Sequence, residues 1–84
     1  MHAILDARKL GEKEAAHAYL KEVFSFPEYY GKNLDALYDC LTELPYGTKL
    51  VIHLLHAEKA GDYFPRILEV MEDIPDIEIN YIES

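Results

Sequence analysis

The rhythm of apolar and polar positions changes several times along the chain, and each change marks an element. HAILDA (residues 2–7) is a short apolar run with a β-branched residue, the pattern of a strand, and Gly11 closes the turn after it. From about Glu12 to Phe24 the apolar positions Ala16, Tyr19, Leu20, Val23 and Phe24 recur at helical spacing, while Glu12, Lys13, Lys21 and Glu22 lie off that stripe. This predicts an amphipathic helix, stopped by Pro27. A second helix is expected from about Asn33 to Glu43. Asn33 is placed to cap it, Asp35 sits in the first turn where the helix dipole favours an acid, and Pro45 and Gly47 end it.

KLVIHLL (residues 49–55) is apolar almost throughout without alternation, which predicts a largely buried central strand. DYFPRILEVMED (residues 62–73) carries Phe64, Ile67, Leu68 and Met71 on one side of a third helix, with a short helical turn before it around Glu58. DIEINYIE (residues 76–83) alternates Ile77, Ile79 and Tyr81 with Glu78, Asn80 and Glu83, Ile82 breaking the pattern, and predicts a strand with one wet face. The order is βααβαβ. Strands separated by helices imply parallel pairing through right-handed crossovers. If both crossovers advance in the same direction, the expected fold is α/β, a three-stranded parallel sheet of order 1-2-3 with the helices packed on one face. At 84 residues the chain supports one modest core, hence a single domain spanning 1–84.

Charge narrows the function. Sixteen acidic residues against eight basic ones give a net charge of -8, which argues against nucleic acid or an anionic membrane as partner and favours a basic one. Solubility alone is the competing explanation of that charge. The single cysteine, Cys40, permits no intramolecular disulfide and no Cys-rich zinc site. There is no apolar run long enough to span a membrane, and MHAILDARKL lacks the basic and long apolar regions of a signal peptide, so a cytoplasmic protein is expected.

The second helix has two faces. At about 100° per residue, Tyr38, Asp39 and Thr42 fall within about 60° of Asp35, while Leu34, Leu37, Leu41 and Leu44 gather at about 180–260°. The leucines form a core stripe, with Cys40 and Asn33 nearer that side. Asp35, Tyr38, Asp39 and Thr42 form a solvent stripe, which by itself is what any amphipathic helix shows. The preceding loop changes the picture. Tyr29 and Tyr30 stand beside the helix start, and Gly31 permits a special backbone conformation or a close approach. Exposed tyrosines beside paired acids have the make-up of a binding hot spot, although the tyrosines could equally be tucked inside.

The run PEYYGKNLDALYDCL (residues 27–41), the strand KLVIHLL after it and the closing helix and strand resemble the barstar family, intracellular inhibitors of secreted ribonucleases of the barnase type. The resemblance implies a loop and helix that block a nuclease active site, with carboxylates standing where substrate phosphates lie. It implies Asp39 as the chief phosphate mimic, Asp35 against the basic rim, Tyr29 stacked on a catalytic histidine, and Gly31, Asn33 and Thr42 as further contacts. Tyr38 stands among these contacts where the family has tryptophan, and Glu69 would be a remote acid. Leu44 stands where the family has another tryptophan, a second cysteine is missing, and Lys32 replaces an acid; these departures bear on partner identity.

The implied partner is a secreted or toxin ribonuclease with a basic active site, the chain being a monomer when free and forming a heterodimer with the nuclease. No cofactor is implied. The alternative is an acidic module of the same fold that binds another basic protein or toxin nuclease. An enzyme is disfavoured, because an acid pair on a convex helix lacks the desolvated pocket that acid–base work needs. Cys40 turns toward the core, His53 and His56 offer no third ligand at useful spacing, and both histidines are expected to be satisfied structurally.

Overall fold

A computed structural model describes residues 1–43 and 49–82 and contains the elements in the expected order. Strands β1 (His2–Asp6), β2 (Leu50–Leu55) and β3 (Ile77–Ile82) alternate with helices α1 (Lys13–Phe24), α2 (Leu34–Thr42) and α3 (Phe64–Glu72). Between β1 and β2 lie both α1 and α2. Short 3-10 turns at Ala7–Leu10 and Ala57–Lys59 lead from β1 and β2 toward the next helix, the second of them at the expected helical turn around Glu58. The Asp6 carboxylate accepts the Arg8 backbone N–H at 3.0 Å and a forked pair of guanidinium bonds. Those bonds hold its carboxyl at about 2, well below the ordinary carboxylate range.

The sheet is parallel throughout, in the order β1-β2-β3. Its register sets Leu5 beside Leu54 and Ile52 beside Ile79. Because side chains alternate across a strand, Leu5, Leu50, Ile52 and Leu54 all turn toward the helices and are buried. Leu10 and Leu20, Leu37 of α2, and Ile67 and Met71 of α3 complete the fully buried layer. Each such side chain contributes about 1.5–3 kcal/mol by leaving water.

β2 is central as expected but buries only one face. Val51, His53 and Leu55 are half-covered, since no described helix packs on their side. On this open side His2 and His53 stack with ring centroids 5.3 Å apart, and Asn80 lies 3.1 Å from His53 Nδ1. Ile4 is 63% exposed there, and Ile82, the residue that broke the alternation of β3, falls on the same side. His53 is thus satisfied as expected. His56 differs: it adopts a left-handed backbone, φ 57°, and its Nδ1 is buried without a hydrogen-bond partner among the described residues. Val23, placed on the core stripe of α1 by spacing, is 36% exposed, because the last turn of that helix buries Phe24 instead.

Gly11 and Gly61 let the turns after β1 and β2 touch. A Cβ added at Gly11 would stand 2.7 Å from the Gly61 backbone. Backbone cannot rotate out of the way as a side chain can, so Gly11→Ala is expected to cost about 1–3 kcal/mol. The melting temperature read by circular dichroism should fall by about 5 °C or more. An unchanged melting curve would show that the two turns separate freely.

Candidate docking face

The segment from Phe26 to Lys32 has no regular structure, yet it is held at several points. The Phe26 N–H donates to Lys21 O at 3.0 Å and the Tyr30 N–H to Pro27 O at 2.9 Å. The Phe26 ring packs between those of Phe24 and Tyr30. The two tyrosines then separate: Tyr30 is 5% exposed and belongs to the core, while Tyr29 is 87% exposed. The hot-spot reading therefore applies to Tyr29 alone.

Tyr30 is buried because its hydroxyl finds a polar partner below. It lies 2.6 Å from Nδ1 of His17, whose Nε2 lies 2.7 Å from the Tyr63 hydroxyl. One fully buried imidazole therefore ties the loop to α1 and to the residue that precedes α3. Burial, and after it the charge of Lys13, lowers the proton affinity of His17 below the ordinary histidine range. Burial raises Tyr30 out of the range of any physiological pH.

Gly31 serves close approach, one of the two roles expected of it. A Cβ there would stand 3.3 Å from both Ala36 Cβ and Asn33 Nδ2. The left-handed conformation falls one residue later, at Lys32 with φ 53°. Asn33 then caps α2, its Oδ1 accepting the Ala36 N–H at 2.7 Å. Its side chain is exposed although the helical wheel put it toward the core, since a cap residue lies outside the helix proper.

On α2 the two faces separate as the spacing predicts. Leu37 and Leu41 are buried, Leu34 and Cys40 half-buried, and Asp35, Asp39 and Thr42 exposed, with Tyr38 43% exposed. Leu44 lies outside the described residues. The Thr42 hydroxyl donates to Asp39 O at 2.9 Å, so it is engaged within its own helix. Tyr29, Gly31 and Asp39 line one open groove between loop and helix, together with Cys40 and Glu43. Asn33 and Asp35 line another with Lys13 and Arg66. Glu69 is exposed on α3, one turn beyond Arg66, and lines neither groove.

Two residues of this region escaped the sequence reading. Glu43 continues the Asp35 and Asp39 stripe at a further four residues, so the same spacing argument extended one turn would have found it. His17 falls three residues before Leu20 and seven before Phe24, squarely on the core stripe of α1, where a histidine must have buried partners.

Asp35, Asp39 and Glu43 make no ion pair among the described residues; the paired acids are Asp6, Glu28 and Glu78, all elsewhere. Acids four apart on a helix repel by about 0.2–0.5 kcal/mol, and no ion pair among the described residues offsets it. Burial, with the carboxylates of Glu43 and Asp39, pushes the Cys40 thiol up, so it stays protonated and a poor nucleophile at neutral pH. No helix among the described residues is long and apolar enough to cross a membrane. No group of three or more potential metal-ligating side chains comes together among them.

The fold and site together define a small parallel α/β protein that presents an exposed acidic helix and an outward tyrosine. Within that class the family can be named: a profile described as Barstar (barnase inhibitor) matches residues 1–79, and the chain belongs to the barstar family. It is also 40% identical over 73 residues to a protein of Bacillus subtilis (strain 168) named "Putative ribonuclease inhibitor YrdF", the match covering 83% of this chain and 80% of that one.

Proposed function

We propose that this protein is a ribonuclease inhibitor that blocks a cationic nuclease site with α2 and the loop before it. The observation that carries the reading is that Tyr29 and Asp39 share one groove while Asp35 edges the next, no acid of the stripe making an ion pair among the described residues. Membership of the barstar family and the name of the Bacillus relative support it. In this reading Asp39 enters the phosphate subsite, Asp35 meets the basic rim, Tyr29 stacks on an aromatic or imidazole ring, and Glu69 adds attraction from α3. Asn33, Gly31, Tyr38 and Thr42 fill the contact around them.

A carboxylate is an apt substitute for phosphate, being planar, anionic and able to accept two hydrogen bonds from an arginine. Fixed on a helix, it presents no bond for the nuclease to cleave. The inhibitor acts inside the cell, as one domain and without a cofactor, forming a one-to-one complex. Titration of barnase activity with the purified chain at rising salt checks this. Stoichiometric inhibition that weakens as salt increases is the expected result. If barnase is neither bound nor inhibited, the barnase-type reading fails. A different basic protein or toxin nuclease then becomes the partner, as the departures at Lys32 and Tyr38 would allow.

A further inference from the structure

The cations of this acidic chain are not spread evenly in their use. Arg8, Lys21 and Lys49 pair with Asp6, Glu28 and Glu78, and Lys9 lies over the Tyr19 ring at 5.1 Å. Lys13, Lys32, Lys59 and Arg66 make no ion pair among the described residues, and three of these four, Lys13, Lys32 and Arg66, gather in one place. Lys13 and Arg66 line an open groove of about 420 Å³ with Asn33, Asp35 and Tyr63. Lys13 continues into an adjoining groove of about 430 Å³ with Lys32 and Glu14. Chain connectivity explains the meeting: Lys13 opens α1, Asn33 caps α2, and Tyr63 and Arg66 stand at the start of α3. None of the three stands within 4 Å of the Asp35 or Glu14 carboxylate, so none is engaged in a direct ion pair there.

Their position works against simple steering. On a chain of net charge -8 that approaches a basic nuclease, every cation near the contact weakens attraction unless it meets an acid. We infer that the groove between the starts of α1, α2 and α3 receives a carboxylate of the partner, so that the inhibitor favours nucleases bearing an acidic side chain on the rim of their basic site. This rests on the inhibitor reading and deepens it. Free RNA is a poor occupant, because the surrounding acid excess repels a polyanion, whereas a single carboxylate on a partner already seated by Asp39 arrives with its entry cost largely met by the other contacts. The face is thus two-signed: acids at its centre and three cations at its edge.

The test exploits opposite signs. Binding of barnase is measured by stopped-flow for the wild type, for the double variant Lys13→Gln/Arg66→Gln, and for Lys49→Gln. Lys49 precedes β2 and so lies at the opposite end of the sheet from the groove. General electrostatics strengthens binding whenever a cation is lost, and Lys49→Gln should show that small gain. The groove variant should instead bind about tenfold or more weakly, mainly through faster dissociation. Circular dichroism melting confirms that both variants remain folded; all three side chains are exposed. Equal or tighter binding by the groove variant overturns the inference while leaving the inhibitor reading intact. Absence of barnase binding by the wild type removes the barnase-type reading, and this inference with it.

Discussion

Replacement of Asp39 by alanine is expected to weaken binding to the nuclease by about 2–5 kcal/mol while leaving the fold unharmed. That range is the general cost of removing one partner from a buried, hydrogen-bonded charge pair, for which the barnase–barstar complex is itself a standard example, so the magnitude is inherited from that complex. The structure supplies the other half of the prediction. The Asp39 side chain is exposed and makes no hydrogen bond or ion pair among the described residues; its backbone carbonyl accepts from the Thr42 hydroxyl and the Glu43 N–H. Removing a charge that repels both Asp35 and Glu43 should therefore leave melting unchanged or raise it slightly. Isothermal titration beside a thermal melt separates the two effects, and a large loss of stability would mean that Asp39 is structural.

His17→Ala should do the reverse and strike the fold first. It leaves the buried Tyr30 hydroxyl without its 2.6 Å partner and opens a cavity between α1 and the loop. An orphaned buried hydroxyl costs about 1–3 kcal/mol, and the cavity adds to that in proportion to its volume. The melting temperature should fall by about 10 °C or more for a domain of this size. His17→Gln, whose amide can still meet one hydroxyl, should fall less.

A pH series distinguishes the imidazole from any group of its shape. Burial lowers the proton affinity of His17 in the folded state, so below about pH 6.5 the unfolded chain takes up a proton that the folded chain resists. Stability therefore declines from pH 6.5 downward, in a window above the carboxylate range. That slope should vanish in His17→Gln. Its persistence would place the titrating group elsewhere.

The backbone architecture was legible because each element obeys its own period. The leucines of α2 and the alternating isoleucines of β3 leave little choice of face, and right-handed crossovers that advance in one direction then give the order 1-2-3. What could not be read were facts of distance. Whether Tyr30 points in or out depends on the presence of His17 beneath it, thirteen residues away in sequence, and no local spacing encodes that meeting. The half-covered side of β2 has the same origin. An uninterrupted apolar run says that a strand lies between neighbours, but whether a second layer exists depends on where the helices go. At the candidate face, helical angle placed Asp35 and Asp39 on the solvent stripe and the family resemblance singled them out, whereas the cluster of Lys13, Lys32 and Arg66 exists only once three helix starts are brought together.

The pairing of the sheet also bears on when during synthesis the inhibitor can become active. The Met1 carbonyl accepts the N–H of Val51, and Leu50 donates to Asp76, so the strands join partners far apart in the chain. Parallel sheets of this kind cannot zip from a local hairpin and must first close long loops. The leucines that orient α2 pack into the core that this sheet completes, and β2 keeps a bare edge until β3 arrives. A nascent chain on the ribosome thus carries Asp39 long before it can hold it in place. On the inhibitor reading, docking through α2 waits until β3 has emerged, and until then the unpaired edge of β2 is open to association with other chains.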